Sequence, residues 1–263
     1  MKSEKIEFNN PKIDTSSPTA VIKSLQSQPP KGSILLDKSL LPSRGKFYEE
    51  NIYVKKLSAL SIKKLATLTE KNADITFNNM IMSSLWGIDY DKILVGDKLW
   101  FVFYLRSLTY NDLPFKIKET CPYCNTITNY DYVLKNLDIS YYDNELPEYF
   151  EINGDKIEVK FPTISTEAAC KKIENDPNVL MDIDKELLTF SSYIYKVNGE
   201  KYSLMRAYEY MTEMSGMDFS KFSNELSEHM FIAKPFAKFI CPHCGEEVEY
   251  QIPLTPPFFM PKI

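Results

Sequence analysis

Two short strings constrain this chain more than anything else in it: Cys121-Pro122-Tyr123-Cys124 and Cys241-Pro242-His243-Cys244. Each sets two thiols two residues apart in a tight turn. Asn125 and Gly245 stand directly after them, residue types that tolerate a left-handed backbone. A β-rich run follows each, with a tyrosine six residues past the second cysteine, Tyr130 and Tyr250. Between these near-copies lie the 116 residues 125–240.

Two such knuckles complete a tetrahedral shell of four sulfurs, for which Zn²⁺ is the usual occupant. The expected ligands are Cys121, Cys124, Cys241 and Cys244, holding one structural zinc per chain. Closing so long a loop costs roughly 4–5 kcal/mol of chain entropy. A structural zinc contributes on the order of 10–16 kcal/mol at neutral pH. The metal wins, so the spacing predicts a ribbon built from one hairpin in mid-chain and one at the C-terminus.

A dithiol redox site competes with this reading, because CPxC strings also occur in thioredoxin-like folds. That chemistry needs its first cysteine at a helix N-terminus. Here Thr126-Ile127-Thr128 and Glu246-Glu247-Val248 follow the knuckles, and both read as strand. Iron, or a site shared between chains, are the remaining alternatives. Cys170 lies in a helical pattern and reads as a small buried hydrophobe.

Composition narrows the function further. A net charge of -5 and a pI of about 5.3 oppose a protein that lives by neutralising phosphates. No glycine-rich nucleotide-binding string occurs. The two histidines, His229 and His243, starve most acid–base schemes. His229 reads as a packing or surface residue on a helix, and His243 as a solvent-facing member of its knuckle. Four thiolates leave no open metal position, so no enzyme is expected. No segment reaches the roughly eighteen apolar residues of a membrane span. The first residues lack a signal peptide's apolar run, so folding in a cytoplasm is expected, where thiols stay free.

Periodicity supplies the organisation. Residues 1–39 read as a flexible, Pro- and Ser-containing arm. Residues 40–112 are mainly helical, after a turn at Leu41–Tyr48 and a short strand at Asn51–Lys55. Phe77, Met80, Ile81 and Leu85 form one stripe of a helix over 76–85. Asp97 is placed to cap a helix running to about Leu108, apolar on nearly every side and therefore central. Residues 113–138 and 236–263 form the discontinuous ribbon module, and 139–235 an inserted α+β subdomain. Within the insertion, Asn153-Gly154 marks a hairpin, Asn198-Gly199 joins strands or ends a helix, and Ser203–Met214 and Asp218–Phe231 are amphipathic helices. The fold class is thus α+β: a helical N-terminal half, a four-cysteine zinc ribbon from two distant knuckles, and an insertion between them.

Several of these segments resemble a known family. Leu41-Pro42-Ser43-Arg44-Gly45-Lys46-Phe47-Tyr48 resembles an opening LPSxGxFY turn. Gly96-Asp97-Lys98-Leu99-Trp100 through Leu105-Arg106-Ser107-Leu108-Thr109-Tyr110 resembles a helix leading into the first knuckle, with Asn111 where the pattern has a glycine. Pro257-Phe258-Phe259 resembles an apolar closure after the second knuckle. In this order around two CPxC strings, they are similar to the T4-type baseplate protein family of tailed phages, which includes a baseplate hub assembly protein. The resemblance implies a non-enzymatic structural or assembly protein of a contractile-tail baseplate, in its hub or wedge region. Its partners would be other baseplate and tail proteins, with no small-molecule substrate, nucleic acid or membrane insertion. It would reside in the virion tail, and in the host cytoplasm during assembly. The Pro-rich ends would dock extended against neighbours. A zinc-ribbon nucleic-acid or transcription accessory protein is the alternative function.

Overall fold

The structure, a computed structural model, describes residues 28–176 and 183–261. Residues 1–27 of the expected arm lie outside the described residues. The rest of that arm is structured: β1 (Ile34–Leu35) pairs antiparallel with β2 (Tyr53–Val54), which in turn pairs with β3 (Leu85–Trp86). Leu36 just after β1 is buried and its amide donates to the Ile52 carbonyl at 2.8 Å, which holds this segment to the body, while Ile34 and Leu35 stay exposed.

Between β2 and β3 run α1 (Ala59–Leu65), capped by Ser58, and α2 (Ala73–Ser84). Phe77, Met80 and Ile81 are buried on α2 as their spacing predicts, whereas Leu85, expected on the same helix, is buried as the first residue of β3. The next helix, α3 (Val95–Tyr110), buries Trp100, Phe101, Val102, Phe103 and Leu105 around most of its circumference. A helix apolar on so many sides is stable only inside a fold. Asn111 ends it at φ 52, a left-handed position that glycine or asparagine fills most readily.

A hairpin of β4 (Phe115–Thr120) and β5 (Ile127–Tyr132) follows, then β6 (Asp138–Ser140). The insertion contains β7 (Phe150–Ile152), β8 (Asp155–Val159), α4 (Ile164–Glu174), α5 (Lys185–Ser191), β9 (Ile194–Val197) and β10 (Glu200–Lys201). Its strands form one antiparallel sheet in the order β10-β9-β8-β7. Both Asn-Gly pairs are hairpin turns, with Asn153 at φ 51 and Asn198 at φ 52. Helices α6 (Leu204–Glu213) and α7 (Gly216–Ser227) complete it. The expected helix to Phe231 stops at Ser227, because Phe231 turns inward against Phe161 at 4.7 Å and the chain extends into β11 (Ile232–Lys234).

Strand β11 pairs with β6, so the insertion leaves and returns through adjacent strands. This neck brings residues 138 and 234 together before any cysteine is involved. Gly96 is required here, since a Cβ on it would lie 2.4 Å from the Phe231 carbonyl oxygen. The chain closes with the hairpin of β12 (Phe236–Ile240) and β13 (Glu247–Gln251) and a single turn, α8 (Pro256–Phe259).

Two interlocks hold the N-terminal half. Asp97 does not cap α3. Leu94 occupies that position without a side-chain bond, and Asp97 sits in the first turn, fully buried. Its carboxylate accepts from the Ser43 amide at 2.9 Å and from the Tyr48 hydroxyl at 2.7 Å. Tertiary donors outcompete the capping geometry because the Leu41–Tyr48 turn folds over this end of the helix, where the dipole also favours an acid. At the other end, Arg106 donates through Nε to the Phe258 carbonyl at 2.8 Å and through Nη1 to the Leu113 carbonyl. Tyr110 donates to the Phe259 carbonyl at 2.6 Å. Phe258 and Phe259 are buried, so the C-terminal end docks on its own chain and is not an extended tail free for a neighbour.

Candidate metal centre

Each knuckle is set by local hydrogen bonds that leave little freedom. The Cys121 amide donates to the Thr126 carbonyl at 2.9 Å, and the Asn125 amide to the Cys121 carbonyl at 2.9 Å. In the second copy, the Cys241 amide donates to Glu246 at 2.8 Å and the Gly245 amide to Cys241 at 2.9 Å. Asn125 and Gly245 take the positive φ that the turn demands, 57° and 78°. Strand registers repeat as well: Thr120 faces Ile127 in one hairpin, and Ile240 faces Glu247 in the other. The two hairpins are therefore structural duplicates.

The fold brings the duplicates together at their cysteines. All four Sγ atoms lie within 4.8 Å of one another. Cys121 and Cys244 sulfurs are 3.7 Å apart, and Cys124 and Cys241 sulfurs 3.8 Å. A tetrahedron of sulfurs about 2.3 Å from a central ion has edges of about 3.8 Å. Disulfides require about 2.05 Å. The four groups are free cysteines spaced for a shared cation, and they could hold a metal ion.

Electrostatics agree with that donor set. The Thr126 hydroxyl and amide donate toward Cys124 and draw its pKa down to about 6. The amides of Cys244 and His243 lower that of Cys241. Cys244 is pushed up to about 12: the Glu246 amide acts to lower it, and burial with the Cys241, Cys121 and Cys124 side chains outweighs that amide. Four sulfurs this close cannot all ionise without a cation to offset their repulsion.

Cys170 lies elsewhere, buried beside Leu188 and Tyr208, and burial pushes its thiol up to about 11. His243 is exposed in its knuckle. His229 sits just past α7, with Nδ1 3.2 Å from the Asn144 carbonyl and its ring 5.8 Å from Phe150. Among the described residues no helix is long and apolar enough to cross a membrane.

The pairing of Arg106 and Tyr110 with the tail, and of Asp97 with the opening turn, escaped the sequence reading. The available hint was an acid and an arginine inside a helix apolar on nearly every side.

Comparison with known proteins adds one finding. A family model described as "T4 bacteriophage base plate protein" matches residues 49–260, beginning just after the Leu41–Tyr48 turn. Among curated proteins and among solved structures, nothing matches. With a match over most of its length, the chain belongs to the T4 bacteriophage base plate protein family.

Proposed function

We propose that this protein is a non-enzymatic building or assembly component of the hub or wedge region of a contractile-tail baseplate. In this reading a single structural Zn²⁺ is held by Cys121, Cys124, Cys241 and Cys244. The observation that carries it is the convergence of those four sulfurs within 4.8 Å in a chain of the baseplate family. When bound, zinc supplies a redox-inert tetrahedral crosslink and no chemistry of its own, since all four positions are taken by thiolates. The crosslink joins residues 113–138 to 236–263, giving one discontinuous ribbon module, while the insertion 139–235 between its two parts packs into the same core as the helical half. A rigid module suits a component that must present fixed surfaces to other tail proteins.

The test has two parts. Metal analysis of the purified protein gives about one zinc per chain, and the protein co-purifies with tail proteins from particles or assembly intermediates. Homogeneous tails and intermediates that both lack it would defeat the assembly role. Metal-free protein with unchanged stability would defeat the zinc role.

A further inference from the structure

The sheet of the insertion carries, on its solvent side, a group of cations that the metal centre does not use. Along β8, Ile157 is buried, while Lys156 before it and Lys160 just past the strand are exposed. Strand β9 breaks this alternation. Ile194 and Val197 are buried, and Tyr195 and Lys196 lie half-buried between them. The register shifts opposite, at Glu158/Val159. Such a bulge re-aims side chains, and here two sequence neighbours meet: the Lys196 ammonium lies 5.1 Å from the Tyr195 ring centroid.

Two more ammonium groups reach the same ring. Lys160 Nζ stands 5.1 Å from its centroid, and Lys201 Nζ, from β10, 5.6 Å. The negative face of an aromatic ring attracts cations, so Tyr195 gathers three of them into one small patch.

The patch is short of acid. Lys196 pairs with Glu158 at 2.6 Å. Glu200, beside Lys201 in the chain, is held instead by Arg206, whose Nη2 donates to Oε2 at 2.7 Å. Among the described residues, Lys160 and Lys201 have no carboxylate partner. Lys201 also stands directly opposite Lys196 across the strand pair, a placement that like charges disfavour. In a chain of net charge -5, this local excess of cations is unfavourable until an anion meets it.

We propose that this face, centred on Tyr195 with Lys160, Lys196 and Lys201, is a docking surface for an extended acidic segment of a partner protein. Alternate side chains of an extended segment lie roughly 7 Å apart, so Asp or Glu at alternate positions can meet ammonium groups arranged round one ring. Nucleic acid is the poorer match, because the cations form a cluster and not a track, and the net negative charge of the chain repels a long polyanion. Tyr195 is a positioning residue that fixes where the ammonium groups stand. That the partner is a tail protein rests on the function proposed above; the chemistry of the surface does not.

The test is fluorescence anisotropy of the full chain with a labelled peptide of alternating Glu and Ser. Binding is expected at low salt and is lost at high salt, where exposed charges are screened. Lys160→Glu with Lys201→Glu should weaken it about tenfold, and the milder Lys160→Gln with Lys201→Gln by less. Tyr195→Leu should weaken it while leaving every charge in place. The control is Lys63→Glu with Lys64→Glu, an equal charge change at exposed positions of α1, and it should leave the affinity within about twofold. No binding by the unmutated chain, or equal loss in the control, would overturn the surface. A single-stranded DNA of equal charge that binds more tightly than the peptide, with the same dependence on Lys160 and Lys201, would overturn the acidic protein segment as its occupant. None of these outcomes bears on whether the chain co-purifies with tails, so the two readings fail separately.

Discussion

The Tyr48 hydroxyl donates to Asp97 Oδ2 at 2.7 Å in a site with no access to water. The same hydroxyl oxygen accepts from the Leu94 amide at 3.0 Å, so one phenol closes the first turn of α3 and ties it to the opening turn. Gly45 permits that turn at φ 67, where a Cβ would meet the Lys38 side chain at 2.4 Å. The first two motifs of the family resemblance are thus one tertiary contact.

Tyr48→Phe keeps the ring but strands the Leu94 amide and one carboxylate oxygen. The expected loss is about 1–3 kcal/mol. For a chain of this size that lowers the melting temperature by roughly 3–10 °C. Thermal unfolding of the variant without such a drop would show that water reaches the site.

Asp97 also predicts a pH dependence. Burial raises its pKa from 3.8 to about 6, against the lowering by hydrogen bonds from Ser43 and Tyr48. A carboxyl raised on folding holds its proton longer in the native than in the unfolded chain. Its contribution is complete below pH 3.8 and is lost as pH rises through about 6, a change of about 3 kcal/mol. The stability difference between wild type and Asp97→Asn, measured by urea unfolding, should therefore shift against the wild type between pH 4 and pH 7. Taking the difference cancels metal release at acid pH, which both proteins share. A difference that stays flat across this range would contradict the assignment.

The C-terminal turn is structural. Phe258 contacts Phe103 at 5.3 Å and Phe115 at 5.1 Å, and its carbonyl holds Arg106. Phe259→Ala opens a cavity worth about 3–5 kcal/mol. Arg106→Leu leaves the Phe258 and Leu113 carbonyls unpaired and is expected to lose about 2–4 kcal/mol. Limited proteolysis should then cut after residue 250 in both variants and spare the wild type. Equal resistance in all three would show that the tail does not depend on these contacts.

Cys121→Ser and Cys244→Ser should release the metal and loosen 113–134 together with 237–254 in hydrogen exchange. The loss should stop at the neck, because β6 and β11 are paired and packed independently of the cysteines. Full protection of both hairpins after metal loss would refute the crosslink. Acid should release the metal too, since the ligands must stay deprotonated.

Much of the site was legible in the sequence. Knuckle chemistry is local: two thiols, a turn and a left-handed residue lie within five positions, so Cys121–Asn125 and Cys241–Gly245 announce their geometry without a fold. Hairpins at Asn153-Gly154 and the stripe from Phe77 to Leu85 are local for the same reason. What sequence alone could not decide is every pairing across long separations. Asp97 reads as a cap because caps are local, yet its partners lie 54 and 49 residues away. Arg106 meets a carbonyl 152 residues distant, and the neck that joins β6 to β11 relieves the metal of part of the closure the spacing assigned to it. Local hydrogen bonding and backbone preference are written in neighbouring residues. The choice among distant partners belongs to the packed core, where each buried donor must find whichever acceptor the whole fold brings within reach.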